Sequence, residues 1–227
     1  MTDKTMPALR FRGFYDAWEQ RKLGEIVEVK SGKDYKQLNK GKIPVYGTGG
    51  YMFSVDSALS YHHDAIGIGR KGTIDKPYVL HAPFWTVDTL FYSIPRLDYE
   101  LDFVNYIFQR INWKQLDEST GVPSLSKSTI SNVSVPVSGF DEQKRIGSFF
   151  KQLDNLITQN ERKIDLLKQL KQAYLQKIFS QKLRFAGFSD AWKECELGEV
   201  FDTVTDYVAN GSFESLRNNV KSYTTEN

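Results

Sequence analysis

Cysteine is almost absent: Cys195 is the only one in 227 residues. No intramolecular disulfide and no cysteine-rich zinc site can be built from it. Long hydrophobic runs are missing too, and nothing approaches the roughly 18–20 apolar residues that a membrane-spanning helix needs. The opening residues, MTDKTMPALRFRGF, have neither an apolar core nor a small-residue cleavage site, so no secretory signal is expected. Net charge is scarce: 30 Lys+Arg stand against 28 Asp+Glu, a formal +2. Hydrophobic residues at 40% and charged residues at 26% are ordinary for folded chains, which excludes wholesale disorder. The expectation is a cytoplasmic protein of one domain, or one and a half, without membrane association.

What is present begins with an internal repeat. Leu9-Arg10-Phe11-Arg12-Gly13-Phe14-Tyr15-Asp16-Ala17-Trp18 returns as Leu183-Arg184-Phe185-Ala186-Gly187-Phe188-Ser189-Asp190-Ala191-Trp192. The match runs on through Leu23-Gly24-Glu25 and Leu197-Gly198-Glu199, so that 11 of 17 residues are identical at an offset of 174. That period is far beyond a solenoid's and marks a duplicated domain-sized unit. The second copy has an opening and only 45 residues from Leu183 to Asn227.

Between the openings, residues 24–141 alternate short β-branched and aromatic runs with Gly- and Asp-containing turns. Strands are predicted at 43–46, 65–68, 78–81, 84–87 and 90–94, and a helix at 101–111. Residues 142–182 contain no proline and one glycine, Gly147. Ile146, Phe149, Phe150, Leu153, Leu156, Ile157, Ile164, Leu167, Leu170, Tyr174 and Ile178 follow the 3-4 spacing of one helical face. Such a helix is about 60 Å long and cannot bury its stripe alone. It needs a partner helix, and Ile146, Phe149, Leu153, Leu156, Asn160, Leu167, Leu170 and Tyr174 are the expected contact residues. Asn160 sits at a core-type position, where a polar residue fixes register or partner number, or is tolerated at a frayed seam. The expected architecture is α+β: a mostly-β domain at 1–141, a long coiled-coil-like α-helix at 142–182, and the start of a second unit at 183–227. The polar tail 208–227 is expected to be poorly ordered.

No catalytic constellation emerges. Gly47-Thr48-Gly49-Gly50 lacks the spacing of a dinucleotide loop, and Gly67-Ile68-Gly69-Arg70-Lys71-Gly72-Thr73 lacks the spacer of a phosphate loop. His62-His63-Asp64 is a weak metal candidate, because adjacent side chains on a strand face opposite ways. No metal site is expected, and Cys195 has no nearby histidine to activate it. Binding is better supported. Lys30, Lys33, Lys36, Lys40 and Lys42 cluster next to Tyr35 and Tyr46, just before the turn that holds Thr48 and Gly49, while Arg70, Lys71 and Lys76 surround a second Gly-containing turn with Thr73. Thr120, Ser124, Ser126 and Lys127 supply a third loop, rich in hydroxyls. Basic groups suit phosphates, hydroxyls and basic side chains reach base edges, and glycines let a backbone approach closely.

Taken together, these residues resemble the specificity subunit of Type I restriction–modification systems. The likeness rests on Phe14-x-Asp16-Ala17-Trp18 with Leu23-Gly24-Glu25 at the opening. It continues through Ile43-Pro44-Val45-Tyr46-Gly47, Ile66-Gly67-x-Gly69-x-x-Gly72, Gly121-x-Pro123-x-Leu125-Ser126, Ile130, Val135-Pro136-Val137 and Asp141-Glu142-Gln143-x-x-Ile146, covering residues 9 to about 207. The resemblance implies a target recognition domain reading half of a bipartite site in double-stranded DNA, and a helix that docks methyltransferase subunits. It implies restriction/translocase subunits as further partners and no chemistry or bound cofactor in this chain. S-adenosylmethionine, ATP and Mg would belong to partner subunits, which methylate adenine at N6 and cut unmodified DNA. A full member has a second recognition domain, so the expectation is either a half-subunit or a fragment. A half-subunit predicts a homodimer through the long helix. The alternatives are a protein–protein adaptor acting through the helix without specific DNA binding, and a stand-alone hydrolase, which the lack of a nucleophile–base pair disfavours.

The +2 is itself an average. Residues 28–76 carry +3, 77–141 carry −3, 142–182 carry +5 and 186–227 carry −5.

Overall fold

The computed structural model describes residues 4–200. It forms two compact units, residues 1–164 and 165–227. In the first, strand β1 (Lys4–Thr5) precedes β2 (Trp18–Lys22), a one-turn helix α1 (Leu23–Ile26) and β3 (Val27–Ser31). Leu23, Ile26 and Val27 are buried, so the Leu-Gly-Glu part of the repeated motif is a core-entry turn. Then come β4 (Lys40–Gly47), β5 (Gly50–Val55), β6 (Ala65–Gly69), β7 (Tyr78–Leu80), β8 (Trp85–Thr86) and β9 (Leu90–Pro95). Helix α2 (Leu101–Arg110), a 3-10 turn (Trp113–Leu116), α3 (Lys127–Asn132) and β10 (Ser134–Val137) lead into α4 (Phe140–Phe179).

The strands make three small sheets, ordered β1-β2-β10, β3-β9-β6-β7 and β5-β4-β8. All described pairings are antiparallel except β4 with β8, where Val45 lies opposite Trp85. In the first sheet Arg21 faces Val135 and Gln20 faces Pro136. Pro136 is tolerated because β10 is an edge strand. The five expected strands are all present, with shifted ends. The 84–87 segment shrinks to Trp85–Thr86 although all four residues are buried, because its apolar pattern reports burial rather than pairing. His81 drops out of the 78–81 segment and turns to the Asp64 carboxylate, 2.9 Å away. Strand β5 escaped the pattern because Tyr51 and Met52 are exposed, and α3 is a six-residue helix.

One core cluster joins these elements: Leu23, Ile26, Ile66, Ile68, Ile74, Phe91, Phe103, Phe108, Trp113, Ile130 and Val135 all belong to it. Strand β6 is buried at every position, so both faces are covered. A Cβ at Gly67 would lie 3.1 Å from Leu80 Cδ1, which is why this central strand alternates isoleucine with glycine. Helix α2 is capped by Glu100, whose carboxylate accepts from Phe103 N at 2.6 Å. Its inner face buries Phe103, Val104 and Phe108, and the buried indole of Trp113 donates to the Phe108 carbonyl at 2.7 Å.

Helix α4 starts two residues before the predicted 142 and ends three before 182. Asp141 and Glu142 in its first turn suit the positive end of the helix dipole. Its last turn closes where the Lys177 carbonyl accepts from Lys182 N and Leu183 N, with Gln181 in the left-handed region at φ 59°. In the first unit Glu142, Gln143 and Gly147 are buried and Ile146 packs on the core. From Phe149 onward the apolar stripe is exposed: Phe149 42%, Leu153 38%, Leu156 53% and Ile157 55%. In the second unit Leu167, Leu170 and Tyr174 are also about half exposed. Asn160 is exposed and donates to the Leu156 carbonyl of its own helix at 2.8 Å. The second repeat opening follows, with a one-turn helix α5 (Leu197–Val200). Among the described residues no helix is long and apolar enough to cross a membrane. The expectation for residues 208–227 lies outside the described residues.

Candidate nucleic-acid interface

Gly47-Thr48-Gly49-Gly50 is a hairpin turn, in which Gly47 pairs with Gly50 and Gly50 takes φ 105°. A glycine there follows from the positive φ the turn demands. The half-buried Tyr78 hydroxyl donates to the Gly47 carbonyl at 2.6 Å and pins the turn; desolvation pushes that phenol's pKa up. Tyr46 lies between Tyr51 and Tyr78, at ring distances of 6.3 and 6.1 Å.

The second and third loops are joined through their backbones. Lys71 bridges Ser124, Leu125 N donates to the Arg70 carbonyl at 3.0 Å, and Gly72 N donates to the Pro123 carbonyl at 2.8 Å. Gly72 takes φ 95°, and a Cβ there would sit 3.9 Å from Thr48 Oγ1, so the hairpin turn meets the same spot. The fold therefore brings Thr48, Arg70, Lys71 and Ser124 together from three separate stretches of chain. Arg70 N and Lys71 N both donate to Thr89 O, and the Arg70 guanidinium reaches the Asp88 carbonyl at 3.4 Å. Lys33 belongs to the neighbouring segment, its amide donating to Thr86 O at 2.9 Å.

Other expected residues sit elsewhere. Lys36 lies with Lys40, Tyr35, Tyr51 and Phe53 around a shallow cleft on the β4–β5 hairpin, and it pairs with Asp34 at 3.7 Å. Lys42 is exposed within β4, at a bulge between Lys40 and Ile43. Lys76 is exposed beside Asp75, which is held by Lys114 at 2.8 Å. Thr73 is half-buried and Thr120 exposed. Ser126 is the N-cap of α3: its hydroxyl accepts from Thr129 N at 3.1 Å and donates to Glu118 at 2.9 Å, so it is already engaged. Lys127, next in chain, is exposed in the first turn of α3.

Asp117 is the group sequence reasoning missed. One of its oxygens accepts from Ser124 N at 2.8 Å and Ser119 N at 3.0 Å, folding the 118–124 loop around a carboxylate. Those two amides hold the Asp117 pKa below the ordinary carboxylate value. The signal in the sequence was an Asp two residues before a Ser, the pattern of an Asx turn. His62 and His63 are exposed, while Asp64 is taken up by His81 and the Ala82 amide.

The family described as the Type I restriction modification DNA specificity domain matches residues 15–169. The chain belongs to that family. It is 26% identical over 98 residues to the Type I restriction enzyme MjaVIII specificity subunit of Methanocaldococcus jannaschii, which covers 39% of this chain and 23% of that protein. The fold is that of the Type I restriction–modification S subunit of M. genitalium, at a TM-score of 0.59 with 17% identity, over 78% of this chain and 49% of that one. The HsdS subunit of Thermoanaerobacter tengcongensis superposes at 0.50 with 18% identity, over 79% and 48%. The chain thus spans about half of those S subunits and a smaller part of the curated relative. The specificity-domain family accounts for the α+β architecture, the strand-rich body followed by a long helix.

Proposed function

We propose that the first unit is a target recognition domain that binds double-stranded DNA at a defined sequence, and that α4 assembles it with partner subunits. The observation that carries this is the backbone joining of Arg70–Gly72 to Pro123–Leu125 beside Thr48, within a DNA specificity domain. It offers two exposed cations and hydroxyls on one surface, a mixture suited to phosphates and base edges together. Lys33, Lys42 and Lys76, exposed cations with no carboxylate partner among the described residues, add phosphate contacts beyond it. The chain itself carries no catalytic residue in this reading. Methyltransferase subunits, holding S-adenosylmethionine, and restriction/translocase subunits, holding ATP and Mg, dock on the α4 stripe in the cytoplasm. A second copy of the chain pairs through the same stripe to read a bipartite site.

The exposed stripe of Leu156, Ile157, Leu167 and Leu170 favours a second reading, an adaptor that works through the helix alone. Arg70→Ala with Lys71→Ala separates the two. In cells carrying the intact system, loss of sequence-specific adenine methylation while the partner complex still co-purifies supports DNA reading. An unchanged methylome refutes it.

A further inference from the structure

The first copy of the repeated motif is a plug. Arg10 donates to both oxygens of the buried Glu142, Nε to Oε1 at 2.8 Å and Nη2 to Oε2 at 2.5 Å. Trp18 Nε1 donates to the same Oε2 at 3.0 Å. Phe11 packs edge-on against Phe149 at 5.5 Å, and Arg145 lies over its ring. The strand that follows pairs with β10, and Leu23 enters the core. The seat is therefore the β10 edge together with Glu142, Ile146 and Phe149 at the base of α4.

The second copy keeps the residues that fill this seat. Arg184, Phe185, Trp192 and Leu197 correspond to Arg10, Phe11, Trp18 and Leu23. Four of the six differences fall on the strand, where Glu19, Gln20, Arg21 and Lys22 give way to Lys193, Glu194, Cys195 and Glu196; the other two, at Arg12 and Tyr15, fall on exposed positions. Backbone pairing tolerates all four, since it does not depend on side-chain identity. The turn is already formed, with Gly187 at φ 92° against 100° at Gly13, and Leu197–Val200 repeats the one-turn helix. Yet Phe185 is 72% exposed, Leu197 71% and Trp192 43%, while 192–196 pair with no strand among the described residues. Arg184 is satisfied only locally, by the Asp190 carbonyl and the Trp192 ring.

We infer that residues 183–199 are a second plug for the same seat, which they enter on a second copy of this chain by displacing that copy's residues 9–25. Each seat holds its own plug at high effective concentration, so exchange is partial until the first plug is weakened. This contact is separate from DNA binding and touches the apolar stripe of α4 only at its first members, Ile146 and Phe149.

The register makes the test specific. Arg21 faces Val135 in the first plug, so Cys195 of the second would face Val135 of the acceptor. In the full chain carrying Val135→Cys, mild oxidation is expected to give a disulfide dimer that Cys195→Ser abolishes. Arg184→Ala with Trp192→Ala should abolish it too. Trp18→Phe in the acceptor, which removes one hydrogen bond to a charged group, should raise the cross-linked fraction by about tenfold in the exchange equilibrium. Because Val135→Cys touches the core, the native chain provides a second readout: alkylation of Cys195 should slow as protein concentration rises, and not in the Arg184/Trp192 variant. No cross-link with Cys195 alkylation independent of concentration overturns the inference. So does a cross-link equally strong with Tyr61→Cys, or one that closes within a single chain.

Discussion

Gly147 is the only glycine in the forty-residue helix α4, and replacing it with alanine ought to stabilise an ordinary helix by about 1 kcal/mol. Here the opposite is expected. A Cβ at this position would lie 2.9 Å from Phe103 N and 3.1 Å from Asp102 Cβ, and it would run into the Glu100 carboxylate. Glu100 is the cap of α2, accepting from Phe103 N at 2.6 Å, and its own amide donates to the buried Gln143 side chain at 3.0 Å. Phe103 N and Asp102 Cβ are fixed in α2, and the Glu100 carboxylate can swing away only by giving up its cap bond. Overpacking of this kind costs about 1–3 kcal/mol, and loss of the cap adds about 0.5–2 kcal/mol. After the helix gain is subtracted, Gly147→Ala should destabilise by about 2 kcal/mol, lowering the thermal midpoint by roughly 4–8 °C for a chain of this size. Asn160→Ala is the matched control, since Asn160 is exposed in the same helix and touches only its own turn. That variant should gain a few tenths of a kcal/mol. Denaturation followed by tryptophan fluorescence reads both. If Gly147→Ala is as stable as the parent or more so, the close approach of α2 to α4 is not the reason for the glycine.

Asp117→Ala should loosen the 118–124 loop, seen as faster amide exchange at Ser119 and Ser124, with little change in the thermal midpoint. Because the folded carboxylate is depressed, its contribution is fully present above the ordinary unfolded value and is lost as pH falls through the lower folded one. The loop should therefore hold its exchange protection through the mildly acid range and lose it only below the usual carboxylate region; loosening already at pH 6 would contradict this. On the DNA side, Lys33, Lys42, Arg70, Lys71 and Lys76 have no carboxylate within 4.0 Å among the described residues, whereas Lys30 is paired with Glu28 and Lys36 with Asp34. Five phosphate contacts would give a slope of log K against log salt of about −4.5, and Lys71→Ala should bring it nearer zero by about 1; a slope near zero for the parent refutes the assignment. Leu167→Asp with Leu170→Asp should leave the melting of the first unit unchanged and reduce pairing through the stripe at least tenfold by sedimentation, since both side chains are already half exposed; unchanged association sinks the stripe as the contact.

The elements legible in the sequence were those whose side chains report their surroundings. Strand β6 could be read because Ala65, Ile66 and Ile68 are buried on both faces, and α4 because one stripe repeats over forty residues. Strand β2 could not, since Trp18–Lys22 carries Glu19, Gln20, Arg21 and Lys22, and what makes it a strand is the antiparallel register with Ser134–Val137 more than a hundred residues later. Glu142 shows the same limit from the other side. In the sequence it is one acidic residue in the first turn of an amphipathic helix, a place where acids are common. Only the fold brings Arg10 and Trp18 onto it, turning a dipole-compensating residue into a buried anchor.

The candidate interface illustrates why loops resist such reading. Arg70, Lys71 and Thr48 were visible as basic or hydroxylic groups near glycines, but whether they share a surface depends on pairings between backbones: Lys71 with Ser124, Gly72 N with Pro123 O, Leu125 N with Arg70 O. Backbone hydrogen bonds carry no side-chain signature, so composition could nominate the three loops without joining them. The joining matters for specificity. A loop tied through its backbone leaves its side chains free to vary without losing its place. Lys71 and Ser124 are held by their main chains, so their side chains can be exchanged for others while the platform stays intact. Ser126 differs, because its hydroxyl caps α3 and replacing it costs that cap. Substitutions that change sequence preference without disturbing the platform should therefore fall on Thr48, Arg70, Lys71 and Ser124, and those that remove binding by disturbing its support on Asp117, Ser126 and Tyr78, which hold the 118–124 loop, the α3 cap and the hairpin turn.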